Sequence, residues 1–287
     1  MALQESGIIS VTDINTELGR GGSTEFSFGA WKDVSQKWVK VSGAWKGLLG
    51  NVYSGGSDNT VRKINSRGDQ VWSFTGHSSA VLAVAVDTNG NVYSTDSINT
   101  VRKINSSGNQ VWSFTGHTDS VYDVAVDTDG NVYSASLDGT VRKIDSSGSE
   151  VWNFTGHGSS VYDVAVDTNG NVYSTDSINT VRKIDSSGSE VWNFTGHRSS
   201  VYDVAVDTDG NVYSASIDDT VRKIDSSGSE VWSFTGHTDS VRGVAVDTNG
   251  NVYSGGTDNT VRKIDSSGNQ VWSFTGYSSS VLAVAVG

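Results

Sequence analysis

From residue 50 onward, short runs of apolar and aromatic residues alternate with polar ones and are separated by turn residues. Across residues 130–169 the runs read NVYSAS, TVRKID, VWNFTG and VYDVAVD. Runs rich in Val, Tyr, Trp and Phe, bounded by Gly, Asn, Asp and Ser, are typical of β-strands joined by tight turns. The Val/Ala-rich run carries the fewest polar residues, which predicts that it is the most buried of the four. The pattern therefore predicts a four-stranded unit.

The same four runs return at a fixed spacing. The motif FTGH begins at Phe74, Phe114, Phe154, Phe194 and Phe234, each 40 residues from the next, and it returns as FTGY at Phe274. A period of this length with four short strands in each unit is typical of a β-propeller, whose units bury their faces against their neighbours. Six strands of each kind are present. The sequence therefore predicts an all-β fold of six near-identical, four-stranded blades over residues 50–287.

One blade is divided between the two ends of the array. The first unit lacks its Val/Ala-rich run, and the chain ends with an additional one at residues 281–286. We expect this last strand to pair with residues 51–54, because that pairing closes the ring and hides both sheet edges. Near-identical blades can also pair between chains, so a homo-oligomer is compatible with the sequence.

Composition excludes several functional classes. The chain has 287 residues, no cysteine and 33 glycines, so disulfides, thiolate metal sites and cysteine nucleophiles are excluded. No apolar run is long enough to cross a bilayer, and the first ten residues do not read as a secretory signal. The net charge of −12, with basic residues spread evenly through the repeats, argues against nucleic acid as a partner.

The repeat resembles three known propeller repeats. Gly116-His117, the DTDG turn and S-x-x-D-x-T-V resemble a WD repeat, although KIN or KID stands where that family has Trp-Asp. VAVDTDGNVY resembles an NHL repeat, and GNVYS followed by D-SSG-x-x-VW-x-F is similar to the pyrroloquinoline-quinone-type repeat. All three families form β-propellers, so each resemblance implies the architecture that the periodicity predicts.

The WD resemblance implies a structural role for the repeated histidine, which in that family bonds an aspartate and packs between blades. The histidines concerned are His77, His117, His157, His197 and His237. The matching aspartates are Asp58, Asp138, Asp218 and Asp258, while Ile98 and Ile178 stand at this position in the other two repeats. One histidine per blade is also too widely spaced to share a metal ion, and Tyr277 replaces the sixth.

The repeated tryptophan and the acidic turns each allow two interpretations. Trp72, Trp112, Trp152, Trp192, Trp232 and Trp272 are expected to pack between blades, the alternative being stacking on sugars. The DTNG and DTDG turns faintly resemble calcium loops, but they lack EF-hand spacing, and Asp-Gly also favours a tight turn. Identical copies single out no nucleophile beside a base, so we predict a protein without enzymatic activity or cofactor.

The loops that differ between repeats are the candidate binding sites, because such loops open onto a propeller face. We assign this role to Thr95, Asp96, Asp119, Thr175, Asp176, Arg198 and Asp239. Small polar loops of this kind suit glycan or protein contacts, and unselected variation in exposed loops explains them equally well.

Residues 1–49 do not repeat. They predict a short helical turn before Gly19 and a hairpin around Ser42-Gly43, and they resemble N-terminal segments of tailed-phage and prophage virion proteins. The sequence thus suggests a virion structural protein, such as a tail or surface appendage, docked to other virion proteins by residues 1–49. Its propeller would recognise a host-surface glycan or protein. The alternative is a WD-like protein–protein interaction scaffold in the bacterial cytoplasm. A quinone-dependent enzyme is disfavoured because the repeats offer no singular central site.

Overall fold

The computed structural model describes residues 50–286, which form 23 β-strands and no helix. The predicted helical turn and hairpin of residues 1–49 lie outside this range. The strands are β1 (Val52–Gly55), β2 (Val61–Ile64), β3 (Gln70–Phe74), β4 (Val81–Val86), β5 (Val92–Asp96), β6 (Val101–Ile104), β7 (Gln110–Phe114), β8 (Val121–Val126), β9 (Val132–Ser136), β10 (Val141–Ile144), β11 (Glu150–Phe154), β12 (Val161–Val166), β13 (Val172–Asp176), β14 (Val181–Ile184), β15 (Glu190–Phe194), β16 (Val201–Val206), β17 (Val212–Ser216), β18 (Val221–Ile224), β19 (Glu230–Phe234), β20 (Val241–Val246), β21 (Val252–Gly256), β22 (Val261–Ile264) and β23 (Gln270–Phe274).

These strands form six antiparallel sheets, which confirm the predicted all-β, six-bladed architecture. Blade 1 contains β1–β3, and blades 2 to 6 contain β4–β7, β8–β11, β12–β15, β16–β19 and β20–β23. Within each blade the strands follow one another as a meander, as the short turns between them require. Among residues 50–286, no helix is long and apolar enough to span a bilayer.

The first strands of blades 2 to 6 form the inner edge of the array. β4, β8, β12, β16 and β20 contact one another in succession. The hydrophobic core lies between blades. At one such boundary Tyr133 and Val141 of blade 3 pack against Val164 and Ile184 of blade 4, and all four are buried. Because each blade buries its face on the next, the core is divided into successive layers.

Each inner strand contains a β-bulge at its second residue. In β8 the pairing with β9 shifts between Val121 and Asp123, so Tyr122 is the extra residue. Leu82, Tyr162, Tyr202 and Arg242 lie at the same bulge in the other inner strands. Bulges redirect a side chain without ending the strand. This bulge therefore sets the direction of one side chain per blade at the inner edge.

Within residues 50–286, the two ends of the array are not paired with another strand. Blade 1 has three strands, and residues 281–286 pair with no strand. Instead, the Val281 amide donates to the Gly256 carbonyl at 3.0 Å, as the Val81 amide donates to Gly56 at 3.1 Å. Residues 281–286 thus begin on blade 6 where the inner strand of a further blade would begin. Their predicted pairing with residues 51–54 stays a prediction.

Candidate ligand-binding site

The five histidines lie buried between blades and are held at both ring nitrogens. In His117, Nδ1 lies 2.9 Å from Asp138 Oδ2 and Nε2 lies 2.7 Å from Ser134 Oγ. A carboxylate only accepts, so Nδ1 carries the proton and Nε2 accepts from the serine hydroxyl. The histidine side chain is fully inaccessible to solvent. With both nitrogens occupied, the imidazole cannot serve as a metal ligand or a catalytic base.

The aspartate that holds the imidazole differs between blades. His197 and His237 bond Asp218 and Asp258, the positions that the WD resemblance implies. His77 and His157 instead bond Asp96 and Asp176, both at 2.8 Å. These two aspartates were predicted to be binding-loop residues, and that prediction is wrong, because both are fully buried. Where isoleucine replaces the usual aspartate, an aspartate two positions earlier reaches the same nitrogen.

Thr95 and Thr175 are also not loop residues. Both lie inside strands, β5 and β13, and are fully buried. Thr95 Oγ1 accepts a hydrogen bond from the Ala83 amide at 3.1 Å, whereas Thr175 Oγ1 has no hydrogen-bond partner. Neither can contact a ligand from solvent. The sequence variation at these sites follows the change of histidine partner one residue later.

Asp58 differs from the other matching aspartates because no described blade precedes it. It accepts hydrogen bonds from Thr60 and Arg62 and bonds none of the histidines in residues 50–286. Nearly half of its side chain is exposed, against a few per cent for Asp138, Asp218 and Asp258. Asp58 therefore lies at the end of the described array, where no histidine of a preceding blade in residues 50–286 contacts it.

Burial sets the charge state of the histidine–aspartate pairs. Burial lowers the pKa of His157 below its usual value, against the opposing effect of Asp176. Burial would raise the pKa of Asp138, but hydrogen bonds from His117, Thr140 and Thr118 outweigh it and lower the pKa. The His157–Asp176 pair is therefore a neutral imidazole beside a carboxylate at neutral pH. This arrangement orients the ring and holds one blade to the next.

The tryptophans pack between blades rather than presenting a face for sugars. Trp112 donates from Nε1 to the Ser146 carbonyl of the next blade at 3.2 Å. It also lies against Tyr93, with ring centroids 6.1 Å apart, and against Gly148 of the next blade. The same indole-to-serine bond is made by Trp72, Trp152, Trp192 and Trp232. Trp272 has no following blade among the described residues.

The remaining loop candidates are exposed but isolated from one another in sequence. Asp119, Arg198 and Asp239 lie on the loops that lead into inner strands of three different blades. Asp119 and Asp239 each accept from the backbone amide of the following serine at 2.7 Å. Arg198 is exposed, and its backbone amide donates a hydrogen bond to Asp218. They remain accessible candidates, without a common site among them.

The bulged residues of the inner strands do come together. Tyr122 lies 5.8 Å from Tyr162, and Tyr162 stacks on Tyr202 with centroids 4.7 Å apart and planes 13° from parallel. The guanidinium of Arg242 lies over the Tyr202 ring, 4.1 Å from its centroid. Four successive blades thus contribute one side chain each to a continuous row, all of them partly exposed. We call these four residues the tyrosine–arginine row.

An adjacent row of aspartates fixes the spacing of these strands. Asp123 Oδ2 accepts from the Val164 amide of the next blade at 3.1 Å, and Asp163 does the same for Val204 at 2.7 Å. Asp203 accepts from the Val244 amide at 2.8 Å. Each carboxylate links one inner strand to the next, directly beside a member of the tyrosine–arginine row. These hydrogen bonds, from a backbone amide of one inner strand to an aspartate of the preceding inner strand, therefore hold the tyrosines at stacking distance.

The row presents hydrogen-bond donors. Burial, Tyr202 and Tyr122 all raise the pKa of Tyr162, so its phenol stays protonated at neutral pH. Arg242 Nε is buried and has no hydrogen-bond partner, and no carboxylate in residues 50–286 forms a salt bridge with Arg242. The protonated phenol of Tyr162, in a row with a guanidinium that has no salt bridge within residues 50–286, favours a ligand rich in acceptor oxygens, above all an anionic one.

Comparison with known families identifies the repeat. The sequence profile of the PQQ_2 family, described as "Outer membrane protein assembly factor BamB", matches residues 57–176, 97–202 and 177–286. The chain belongs to this family. Of the three propeller repeats that the sequence resembles, the pyrroloquinoline-quinone-type repeat is therefore the one that applies. No protein with a curated description matches the chain significantly.

Among solved structures, this PQQ_2-family chain is similar to the computationally designed Ika8 protein, determined by crystallography. The TM-score is 0.75 at 28% sequence identity, over 84% of this chain and 75% of that chain. The similarity supports the propeller architecture. A quarter of that protein has no counterpart in this chain.

The tyrosine–arginine row is not among the predicted site residues, although the sequence contains a signal for it. The inner-strand motif reads VLAVAV, VYDVAV three times, VRGVAV and again VLAVAV, so it differs in its second and third residues. The predicted binding residues were confined to the variable segments read as loops, since loops open onto a propeller face. Residues 50–286 hold no group of three or more His, Cys, Asp or Glu placed to bind a metal.

Proposed function

We propose that the chain is a non-enzymatic recognition module that binds an acidic glycan along the tyrosine–arginine row. The observation that carries this proposal is the stacking of Tyr162 on Tyr202, extended by Arg242 with its guanidinium over the same stack. Phenol hydroxyls and a guanidinium are donors that suit sugar hydroxyls and carboxylates or sulfates. Side chains from consecutive blades suit a ligand that itself repeats.

Weak contacts along the row would add through effective concentration. The row extends over four blades and is bounded by Leu82 on one side and Leu282 on the other, at the same position of the repeat. Leucine at both ends limits the polar surface to one sector of the inner edge. A linear ligand would therefore lie across blades 3 to 6 rather than around the whole array.

The proposed biological setting is the virion of a phage or prophage, with residues 1–49 attaching the propeller to other virion proteins. This part of the proposal is supported by the resemblance of residues 1–49 to virion segments. An incorporation assay with a chain lacking residues 1–49 tests it, since normal incorporation would contradict the attachment role. The second candidate, a bacterial protein–protein scaffold, is favoured if the row binds an acidic peptide instead of a glycan.

The glycan proposal is tested with substitutions that the chain already uses at the same position. Arg242→Leu and Tyr162→Leu place there the residue found at Leu82 and Leu282, so folding should be preserved. Binding to an array of neutral and acidic glycans is measured first, and affinity for the best acidic glycan is then compared. We expect Arg242→Leu to weaken that affinity by about tenfold or more, as loss of a charge-assisted hydrogen bond does.

The matched control is Arg198→Thr, which removes the same charge from an exposed loop and installs the residue of Thr118 and Thr238. It should bind as the parent chain does. Equal affinity of the parent and Arg242→Leu would overturn the assignment. A loss confined to Arg198→Thr would transfer the site to the loops.

A further inference from the structure

Charged side chains follow a fixed order along the inner strands that form the tyrosine–arginine row. Each tyrosine of the row is followed directly in its strand by an aspartate, whereas Arg242 is followed by Gly243. The same positions on either side of the row hold Leu82-Ala83 and Leu282-Ala283, which are uncharged. The three aspartates are Asp123, Asp163 and Asp203. Blades 3 to 5 thus each place a carboxylate beside the row, and blade 6 places only a guanidinium there.

The three carboxylates are held in place by backbone amides. Asp123 and Asp163 are buried, and each accepts a hydrogen bond from an amide of the next inner strand. Asp203 accepts from two amides, one on each carboxylate oxygen. A carboxylate fixed in this way cannot turn away from a ligand, and like charges repel strongly where little water screens them. An anionic group bound over blades 3 to 5 would therefore meet electrostatic repulsion.

Blade 6 has no carboxylate at this position, and its backbone leaves no room for one. A Cβ added to Gly243 would lie 2.8 Å from Cα of Ala283, so any side chain there would clash with backbone. Asp239 precedes Arg242 by three residues, but it accepts from a backbone amide instead. No carboxylate in residues 50–286 forms a salt bridge with Arg242. The guanidinium can therefore give its charge-assisted hydrogen bonds to an anionic group of a ligand.

The tyrosines offer hydroxyl groups to a ligand rather than flat ring faces. Tyr202 lies between its two neighbours in the row, with Tyr162 stacked on its ring at 4.7 Å and the Arg242 guanidinium over its ring at 4.1 Å. Both faces of Tyr202 are thus covered, so a sugar ring cannot stack on it. A phenol hydroxyl both donates and accepts hydrogen bonds, as an uncharged sugar hydroxyl does. The tyrosine part of the row therefore suits neutral sugar residues.

We infer, on the basis of the proposed function, that the glycan carries a single acidic group at one end, bound by Arg242, and uncharged sugar residues over blades 3 to 5. A glycan with an acidic group on every residue would bring its anionic groups beside three carboxylates. That repulsion would offset the attraction of Arg242. Rejection of the wrong ligand by like charge is a common source of specificity.

Trisaccharides that differ in their number of acidic groups test this inference by titration calorimetry on the full-length chain. Sialyllactose carries one terminal carboxylate, trigalacturonic acid carries one on each residue, and maltotriose carries none. We expect sialyllactose to bind about tenfold or more tightly than either of the others, because it alone satisfies Arg242 without facing the aspartates. Equal or tighter binding of trigalacturonic acid would overturn the inference and leave the acidic-glycan proposal standing. Binding of none of the three would count against both.

Two variants locate the attraction and the repulsion. Arg242→Leu should abolish the preference for sialyllactose over maltotriose. The triple variant Asp123→Asn, Asp163→Asn and Asp203→Asn removes three charges but keeps an oxygen that can accept from the amide of the next strand. It should bind trigalacturonic acid about tenfold or more tightly than the parent chain does. An unchanged affinity for trigalacturonic acid in a folded triple variant would overturn the inference.

The matched control is Asp129→Asn, which removes a carboxylate from an exposed turn and installs the residue of Asn89 and Asn169. Its affinities for the three trisaccharides should equal those of the parent chain. Asp203→Asn alone serves where the triple variant does not fold, since Asp203 lies on the blade next to Arg242. It should shift the affinity for trigalacturonic acid in the same direction by a smaller factor, and no shift would again overturn the inference.

Discussion

The imidazole of His157 bonds Asp176, which lies 19 residues further along the chain, whereas His117 bonds Asp138, 21 residues along. Both aspartates lie in the blade that follows the histidine. Asp176 and Asp138 stand two positions apart in the repeat, yet each bonds Nδ1 of the histidine that precedes its blade. In blade 4, the Thr180 hydroxyl also donates to Asp176. In blade 3, Thr140 lies at the same position of the repeat, and its hydroxyl donates to Asp138. One buried hydrogen-bond network is thus built from two sequences.

This exchange predicts a compensating pair of substitutions. Asp176→Ser should lower the free energy of unfolding by about 1–3 kcal/mol, because it leaves the buried Nδ1–H of His157 without an acceptor. Adding Ile178→Asp installs the Ser and Asp of blade 3 and should restore most of that loss. Chemical denaturation of the parent, single and double variants measures both steps. A double variant no more stable than Asp176→Ser would contradict the equivalence.

The same pairs predict that stability falls as the solution is acidified. Burial lowers the pKa of His157 and His237 in the folded state, so their contribution is present above the unfolded pKa of about 6.5 and is lost as pH falls toward the folded pKa. The pKa of Asp138 and Asp218 is also lowered, because hydrogen bonds outweigh burial. Their contribution is lost only below about pH 3.9, toward the folded pKa.

Denaturation midpoints between pH 8 and pH 3 should therefore be level at first, decline below about pH 6.5 and decline again below about pH 3.9. In His157→Gln the first decline should be shallower, since one of the titrating groups is gone. Midpoints that rise on acidification toward pH 5 would contradict this assignment of charge states.

Two glycines in blade 3 should respond differently to substitution. Gly148 has φ +94, and an added Cβ would lie 2.8 Å from Cγ of Trp112, so Gly148→Ala should destabilise the fold by about 1–3 kcal/mol. Gly139 also has positive φ, but asparagine adopts it at the same position in Asn59, Asn99, Asn179 and Asn259. Gly139→Asn should stay within about 0.5 kcal/mol of the parent. Thermal unfolding of the two variants side by side checks the contrast.

The acidic turns should not bind calcium. Asp127 Oδ1 accepts from the backbone amides of Asp129 and Asn131. Its Oδ2 accepts from the side-chain amide of Asn131 and from the Tyr133 hydroxyl. These bonds already occupy the oxygens that a calcium ion would need. Calcium or a chelator should therefore leave the unfolding temperature unchanged, and binding heat in titration calorimetry at stoichiometric calcium would contradict this.

Much of the fold follows from the sequence because its causes are local. Strand positions follow from the alternation of apolar and polar residues, and turns follow from Asp, Asn and Gly at fixed places in a 40-residue period. Burial of the histidine was implied by the resemblance to WD repeats, and the structure confirms it for all five histidines. Six blades and their strand order required no information beyond this pattern.

Tertiary structure alone decided which residues meet across blades. Asp96 and Asp176 vary between repeats as loop residues do, yet the fold buries them beside an imidazole of the preceding blade. Tyr162 and Tyr202 are 40 residues apart, and only the packing of β12 on β16 brings their rings into a stack. The exposure of Val52 and Phe274 likewise depends on which blade covers which face. Periodicity fixes what each repeat contains, but contacts between repeats depend on the rotation of one blade on the next, which no local pattern encodes.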